Sequence, residues 1–422
     1  MEDRLEAQSA PVRASVSASL LLPYNRAAFE PGAERDFRRP NCLRENANEK
    51  RLCPMKCLAA SALILLSFVA CTCSTAQTIV TQELRIPAKG AGSKGLDALM
   101  VRPNEPGPHP LALFTHGTPR EPGDRSGMTP FGLQPQAMEF ARRGWTVVVV
   151  LRRGFGDSGG RYDEESHSCA NPDYVGATKE SVIDLRASVA YLSTLPEIDA
   201  SRIISVGIST GGLAIVGLTA DPPPGLLAAI SFAGGRGSRA PDMVCGPDAL
   251  VDAFATFGKK SRIPMLWVYS QNDHFFGPQL AQRFHQAFTR AGGNATFILA
   301  PPFSNDGHHL FSRSGVSIWA PMVDTFLQSQ NLTLRASLLP LPEPPNIDPP
   351  SGLPDRARAE FRNYLTLPPH KALATSEEGH YGVSFGRRTD KDAENKALDN
   401  CKEAAPKKDR CKIAMLDDAP TP

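Results

Sequence analysis

The 422 residues carry almost no net charge, since 46 Lys and Arg stand against 44 Asp and Glu, a formal +2. That balance supplies no electrostatic attraction for a polyanion, so nucleic acid is not an expected partner. Long apolar runs are also scarce. One, Leu58 to Ala70, holds thirteen apolar-leaning residues, short of the roughly 20 that a spanning helix needs. The glycine-rich stretch Arg153 to Gly160 lacks the Gly-Lys-Ser/Thr ending of a phosphate loop. Its Gly154, Gly156 and Gly159 meet the dinucleotide spacing without the acid that should follow about 20 residues on, so it reads as a turn. Asp306, His308 and His309 have no further ligand cluster near them in sequence. No metal and no cofactor is therefore expected.

The short apolar run has Lys56 before it and Ser74, Thr75 and Ala76 after it, the composition of a secretory signal peptide over 55–76. Translation is then expected to begin at Met55, with residues 1–54, rich in Arg and Pro, either disordered or a mis-assigned start. Phe68 to Cys71 resembles a loose lipobox, so membrane attachment is expected only through lipidation of Cys71. Cleavage after Ala76 instead leaves Cys169, Cys245, Cys401 and Cys411, an even set suited to two disulfides in an oxidising compartment. A periplasmic or secreted protein is favoured over a lipoprotein.

From Gln77 to about Ala336, short apolar runs alternate with segments of helical period. The expected strands are Leu111–Thr115, Thr146–Leu151, Ile203–Val206, Ala228–Phe232, Met265–Ser270 and Thr296–Ala300; the expected helices are Gln134–Arg143, Lys179–Ser193, Thr210–Thr219 and Pro278–Ala291. Apolar strands interleaved with helices predict an α/β fold with a mostly parallel, doubly wound sheet. In the second helix Val182, Leu185, Val189 and Leu192 form one stripe facing that sheet. Residues 337–355 are a Pro-rich linker, with seven prolines between Leu339 and Pro354. Residues 356–422 are expected to form a small module with a strand near His380–Gly386 and a helix over Asp390–Cys401, stapled by Cys401 and Cys411.

Gly207-Ile208-Ser209-Thr210-Gly211 lies between a strand and a helix and has the G-x-S-x-G pattern. In such an elbow the serine rides a sharp turn, and glycines are needed where strand and helix cross. Asp273 follows the Met265–Ser270 strand and His308 the Thr296–Ala300 strand. The order Ser, Asp, His puts a nucleophile, an orienting acid and a general base at one end of the sheet. A serine hydroxyl becomes a competent nucleophile only when a neutral imidazole takes its proton, and the acid fixes the tautomer. Asp306 is the competing acid and His309 the competing base. Thr210 supplies one backbone N–H for an oxyanion hole, and Thr118, in His116-Gly117-Thr118 after the first strand, the other. His116 is expected to be structural.

These motifs, with Arg153 to Ser158, Asn272 to Phe276 and Asp306-Gly307-His308, resemble the α/β-hydrolase superfamily between about Pro110 and Gln328. Within it they are similar to the dienelactone-hydrolase-like and prolyl-oligopeptidase-like branches of bacterial exported hydrolases. The resemblance implies the α/β-hydrolase fold and a serine hydrolase. Ser209 stands where true dienelactone hydrolases carry cysteine, and no β-propeller is present. Cys169 and Cys245 fall in loops opening on the carboxyl edge of the sheet, so a disulfide is expected between them. The tail faintly resembles small cysteine-bearing modules of bacterial envelope proteins, which implies a structural role or an envelope partner. The expected activity is hydrolysis of a small-molecule ester, or of a short peptide or amide; the alternative from another class is a catalytically silent binding protein.

Overall fold

The structure is a computed structural model describing residues 78–350, 353–405 and 409–421. The leader, signal-peptide and lipobox expectations lie outside the described residues. Two antiparallel strands not anticipated from apolar runs, β1 (Ile79–Ile86) and β2 (Leu96–Pro103), open the fold. The sheet continues with β3 (His109–Thr115), β4 (Thr146–Val150), β5 (Ile198–Ile208) and β6 (Leu226–Phe232). After a small hairpin of β7 (Ser238–Ala240) and β8 (Met243–Val244), it is completed by β9 (Met265–Ser270) and β10 (Ala295–Ala300). Its order is β1-β2-β4-β3-β5-β6-β9-β10, antiparallel as far as β4 and parallel from β4 onward.

The chain winds outward from β3 to β4 on one side, then returns to lay β5 against the other edge of β3. Their carboxyl ends therefore flank a crevice from which connections leave in opposite directions, the position where open α/β sheets bind ligands.

Both faces of the parallel strands are covered, so alternate residues enter different cores. In β4, Val148 and Val150 join Leu185, Leu213 and Trp267, whereas Val147 and Val149 join Phe140, Trp145 and Trp319. Fully burying one such side chain contributes about 1.5–3 kcal/mol before entropic costs. The helices are α1 (Gln134–Ala141), α2 (Tyr174–Leu192), α3 (Thr210–Thr219), α4 (Pro247–Gly258), α5 (Pro278–Arg290) and α6 (Val316–Ser329). The stripe Val182, Leu185, Val189 and Leu192 is buried in α2. That helix begins five residues earlier than its periodicity indicates, because the Asp173 carboxylate accepts the Gly176 N–H at 2.7 Å and caps it.

Among the described residues between α6 and Asp355 the proline-rich stretch contains neither helix nor strand, but it is not a free tether. Leu339 donates to the Arg142 carbonyl at 3.0 Å and accepts from Arg142 Nε at 2.7 Å, and the Thr78 hydroxyl donates to Pro340. Beyond it come α7 (Asp355–Leu365), β11 (Ala372–Ser376), β12 (Tyr381–Ser384), α8 (Asp390–Ala404), β13 (Cys411–Leu416) and β14 (Ala419–Pro420). The strands form an antiparallel sheet in the order β12-β11-β13-β14, and the Cys401–Cys411 disulfide joins α8 to β13. Arg388 from this region forms ion pairs with Asp97 on β2 and, at 3.6 Å, with Glu83 on β1. Among the described residues no helix is long and apolar enough to cross a membrane.

Candidate active site

β5 runs into Ser209, whose φ of 57° and ψ of −123° place a non-glycine residue in a strained turn at the head of α3. The turn closes because its flanking residues lack side chains. A Cβ on Gly207 would lie 2.3 Å from the Gly211 carbonyl oxygen, and one on Gly211 would lie 2.5 Å from that of His116. On the neighbouring strand end, a Cβ on Gly117 would come within 2.9 Å of Ser209 Cβ. The loops after β3 and β5 are thus pressed together at the crevice.

Asp273 and His308 meet behind this turn, both buried, with His308 Nδ1 3.2 Å from each carboxylate oxygen of Asp273. Asp273 Oδ1 also accepts the N–H groups of Phe275 and Phe276 at 2.7 and 2.9 Å, which fixes the carboxylate against its own loop. Burial, with the Asp273 charge second, raises the Tyr269 phenol well above its usual pKa, and its hydroxyl donates to Gly234. The Phe275 ring lies on the imidazole of His308, with centroids 3.8 Å apart and planes 12° apart, and the Arg120 guanidinium lies 3.4 Å from the centre of the same Phe275 ring. Arg120 is itself held by the Ser238 hydroxyl and the His274 carbonyl.

Asp306 accepts the N–H groups of His274 and His308 at 3.0 and 2.9 Å, so it shapes the loop rather than orienting an imidazole. His309 packs edge-on against Phe275, and burial, then His308, lowers its pKa. Among the described residues Ser209 Oγ forms no hydrogen bond; serine and base are related through Phe275, which lines the Ser209 cavity and stacks on His308. Nucleophile and base contacts in unliganded sites are commonly longer than in the reacting complex.

The Thr118 and Thr210 hydroxyls are hydrogen bonded at 2.8 Å, bringing both expected oxyanion residues to one wall. The backbone hydrogen bonds of the surrounding turns use neither Thr118 N–H nor Thr210 N–H. His116 is structural: Nδ1 donates to Gly117 O at 2.7 Å and Nε2 accepts the Arg152 N–H at 3.1 Å. Burial, then the Arg152 charge, pushes its pKa down to about 3.

The cavity over Ser209 measures about 190 Å³ and is lined by Arg120, Arg125, Arg236 and Arg239 against one carboxylate, Glu165. Among the described residues Arg120, Arg125 and Arg239 form no ion pair. Arg236 is buried and pairs with Glu164 at 2.8 Å, while its Nε has no partner among the described residues. Cys169 and Cys245 are joined across this rim, with Cα atoms 4.8 Å apart. Two His and carboxylate clusters, His370, Asp390 and Asp417, and Glu378, His380 and Asp409, each bring ligand-type atoms within 4.8 Å, but both belong to the C-terminal region.

The model of the dienelactone hydrolase family matches residues 134–320, a span that includes Ser209, Asp273 and His308. The sheet order and its flanking helices are those of the α/β-hydrolase fold. Solved structures similar to this chain include a provisionally named dienelactone hydrolase from Klebsiella pneumoniae, at 18% identity over 59% of this chain and 99% of the other, with a TM-score of 0.43. An esterase from Pyrococcus furiosus is similar at 16% identity over 60% and 90%, TM-score 0.41. Thermogutta terrifontis esterase 2, phosphorylated by paraoxon, is similar at 15% over 60% and 96%, TM-score 0.44. No curated protein matches the sequence.

Sequence reasoning missed Arg152, Glu164 and Arg236, a buried cluster beside the oxyanion wall. The one signal was a charged residue two positions after the unbroken valine run of β4, where a strand end faces the crevice.

Proposed function

We propose that this α/β-hydrolase cleaves carboxylic esters through an acyl-enzyme on Ser209. The observation that carries the reading is the buried Asp273–His308 pair, joined through Phe275 to the cavity that holds the elbow serine. With its Nδ1 proton donated to Asp273, His308 presents Nε2 as the basic nitrogen. It takes the Ser209 proton as Oγ attacks the carbonyl carbon. The Thr118 and Thr210 N–H groups receive the oxyanion. His308 then returns the proton to the departing alcohol, and water repeats the sequence to release the acid.

The cavity wall supports a substrate that carries an anionic group besides the ester. Three of the lining arginines form no ion pair among the described residues, and the lining holds one carboxylate, in a protein whose overall charge is close to neutral. The two disulfides support the export expected from the signal-peptide composition. The Arg388 ion pairs support a bracing role for the C-terminal residues.

A fluorophosphonate probe applied to the mature protein is expected to label Ser209, and loss of that label in Ser209→Ala identifies the site. Among p-nitrophenyl esters, the hemisuccinate is expected to have the higher kcat/KM relative to the neutral butyrate. Arg120→Ala should shrink that preference. A folded protein without label would refute the serine mechanism. Preference for the butyrate would refute the anionic substrate, and faster turnover of aminoacyl anilides would turn the reading to a peptidase.

A further inference from the structure

Arg152 follows β4 and is completely buried. Its Nη1 donates to the Thr115 hydroxyl at 2.6 Å and to the His116 carbonyl at 2.8 Å, both at the end of β3. Its Nη2 donates to the Thr210 hydroxyl at 3.3 Å, and Thr210 in turn is hydrogen bonded to the Thr118 hydroxyl. One guanidinium therefore ties the β3 loop, which carries Thr118, to the first residue of α3. The remaining edge of the fork meets Glu164, through Nε and through Nη2 at 3.1 Å, and Glu164 is shared with Arg236. Burial alone would raise the Glu164 pKa, but Arg152 and Arg236 outweigh it and bring it down to about 2. Asp184, which pairs with Arg153 at 2.6 Å, lies within electrostatic reach of Glu164, so the Arg152 guanidinium sits in a charge-compensated network behind the wall where an oxyanion would form.

We infer that Arg152 is the positioning residue of the oxyanion hole, fixing the separation of the Thr118 and Thr210 donors. The inference rests on the serine-hydrolase reading. Arg152 touches neither the nucleophile nor the base, and no substrate contact is assigned to it. Its effect is on the stage at which charge leaves the carbonyl carbon for the oxygen, where preorganised donors in a water-poor site are worth most. A planar fork that reaches three acceptors and a carboxylate together cannot be replaced by an ammonium.

The test compares an ester with its thionoester, whose sulfur is a poor acceptor for oxyanion donors, in the full mature chain. Arg152→Gln is expected to lower kcat for the ester by about 10²-fold with little change in KM, as loss of one oxyanion donor does. The thionoester rate should fall far less, so the oxygen-to-sulfur rate ratio drops at least about tenfold. Arg152→Lys should restore only a small part of that ratio. Thr210→Val keeps the backbone N–H and the buried charges but cuts the link from Arg152, and should lower the ratio in the same direction; it decides the question if the Arg152 variants fail to fold. Ratios equal to wild type in folded, probe-reactive variants would overturn the inference alone. A wild-type chain inert to the probe would overturn the hydrolase reading and this inference with it.

Discussion

Lowering the pH from 7 to 5 should cost the folded chain about 2 kcal/mol through His116. Both ring nitrogens are committed, Nδ1 as donor to Gly117 O and Nε2 as acceptor from Arg152 N–H, so a second ring proton would face another donor. Burial and the Arg152 charge hold the folded-state pKa near 3, while the unfolded chain binds that proton near 6.5. Between these values the unfolded state carries about one more proton than the folded state. The contribution is therefore complete above pH 6.5 and is lost as the pH falls toward 3. Integrated from pH 7 to 5 the difference is about 2 kcal/mol, and this requires only that the folded-state pKa lie at about 4 or lower. Glu164 works in the same direction but in a lower window, its stabilisation being present above pH 4.5 and lost as the pH falls toward 2. Urea unfolding at pH 7, 6 and 5 should compare wild type with His116→Gln, whose amide oxygen accepts the Arg152 N–H without titrating. Wild type is expected to lose about 2 kcal/mol more than the variant over this range. Equal losses would refute the assignment of His116 as a neutral buried bridge.

Gly117→Ala places a methyl group 2.9 Å from Ser209 Cβ; fluorophosphonate labelling should slow by at least about 10²-fold while the melting temperature moves only modestly, overpacking costing about 1–3 kcal/mol. Asp273→Asn removes the acceptor that selects the His308 tautomer, and kcat should fall by about 10⁴-fold; a fall below about tenfold would assign the orienting role elsewhere. Breaking Cys169–Cys245 as a double serine variant opens a loop with a sequence separation of 76, worth about 4.5 kcal/mol by the chain-entropy relation. Urea unfolding should show a loss of that order, with KM for anionic esters rising because Arg239, which donates to Cys245 Sγ, lines the cavity.

The parallel strands were legible because burial on both faces demands unbroken apolar runs such as the valines of β4. β1 was not, since its burial alternates irregularly between Ile79 and Ile86 and its middle residues are exposed. α4 and α6 escaped for a different reason. The first follows directly on the loop that carries Cys245, and the second carries Pro321 inside it. At the candidate site, chain order and strand ends sufficed to single out Asp273 and His308, which the structure joins by hydrogen bonds. The stacking of Phe275 on His308 and of Arg120 on Phe275 had no local signature. Arg120 follows β3 and Phe275 follows β9, far apart in sequence, and their loops meet over the carboxyl ends of the sheet.

The Arg152, Glu164 and Arg236 cluster shows what this long-range dependence accomplishes. Buried ion groups are weak sources of stability, because desolvation offsets much of their attraction and well-packed apolar side chains of similar volume often serve as well. A cluster kept only for stability could occupy any part of the core. Here its members stand beyond the carboxyl ends of β4 and β6, and their hydrogen bonds reach the end of β3 and the start of α3. The Glu139, Arg142, Arg143 and Asp324 network offers a contrast: it couples α1 to α6, sets two carboxylates against two guanidinium groups, and contacts none of the residues around Ser209. The Arg152 hydrogen bonds are thus concentrated at the end of the sheet where ester cleavage would develop negative charge. Stability alone gives no reason for that placement, whereas an oxyanion that must form within a few bonds of Thr210 does.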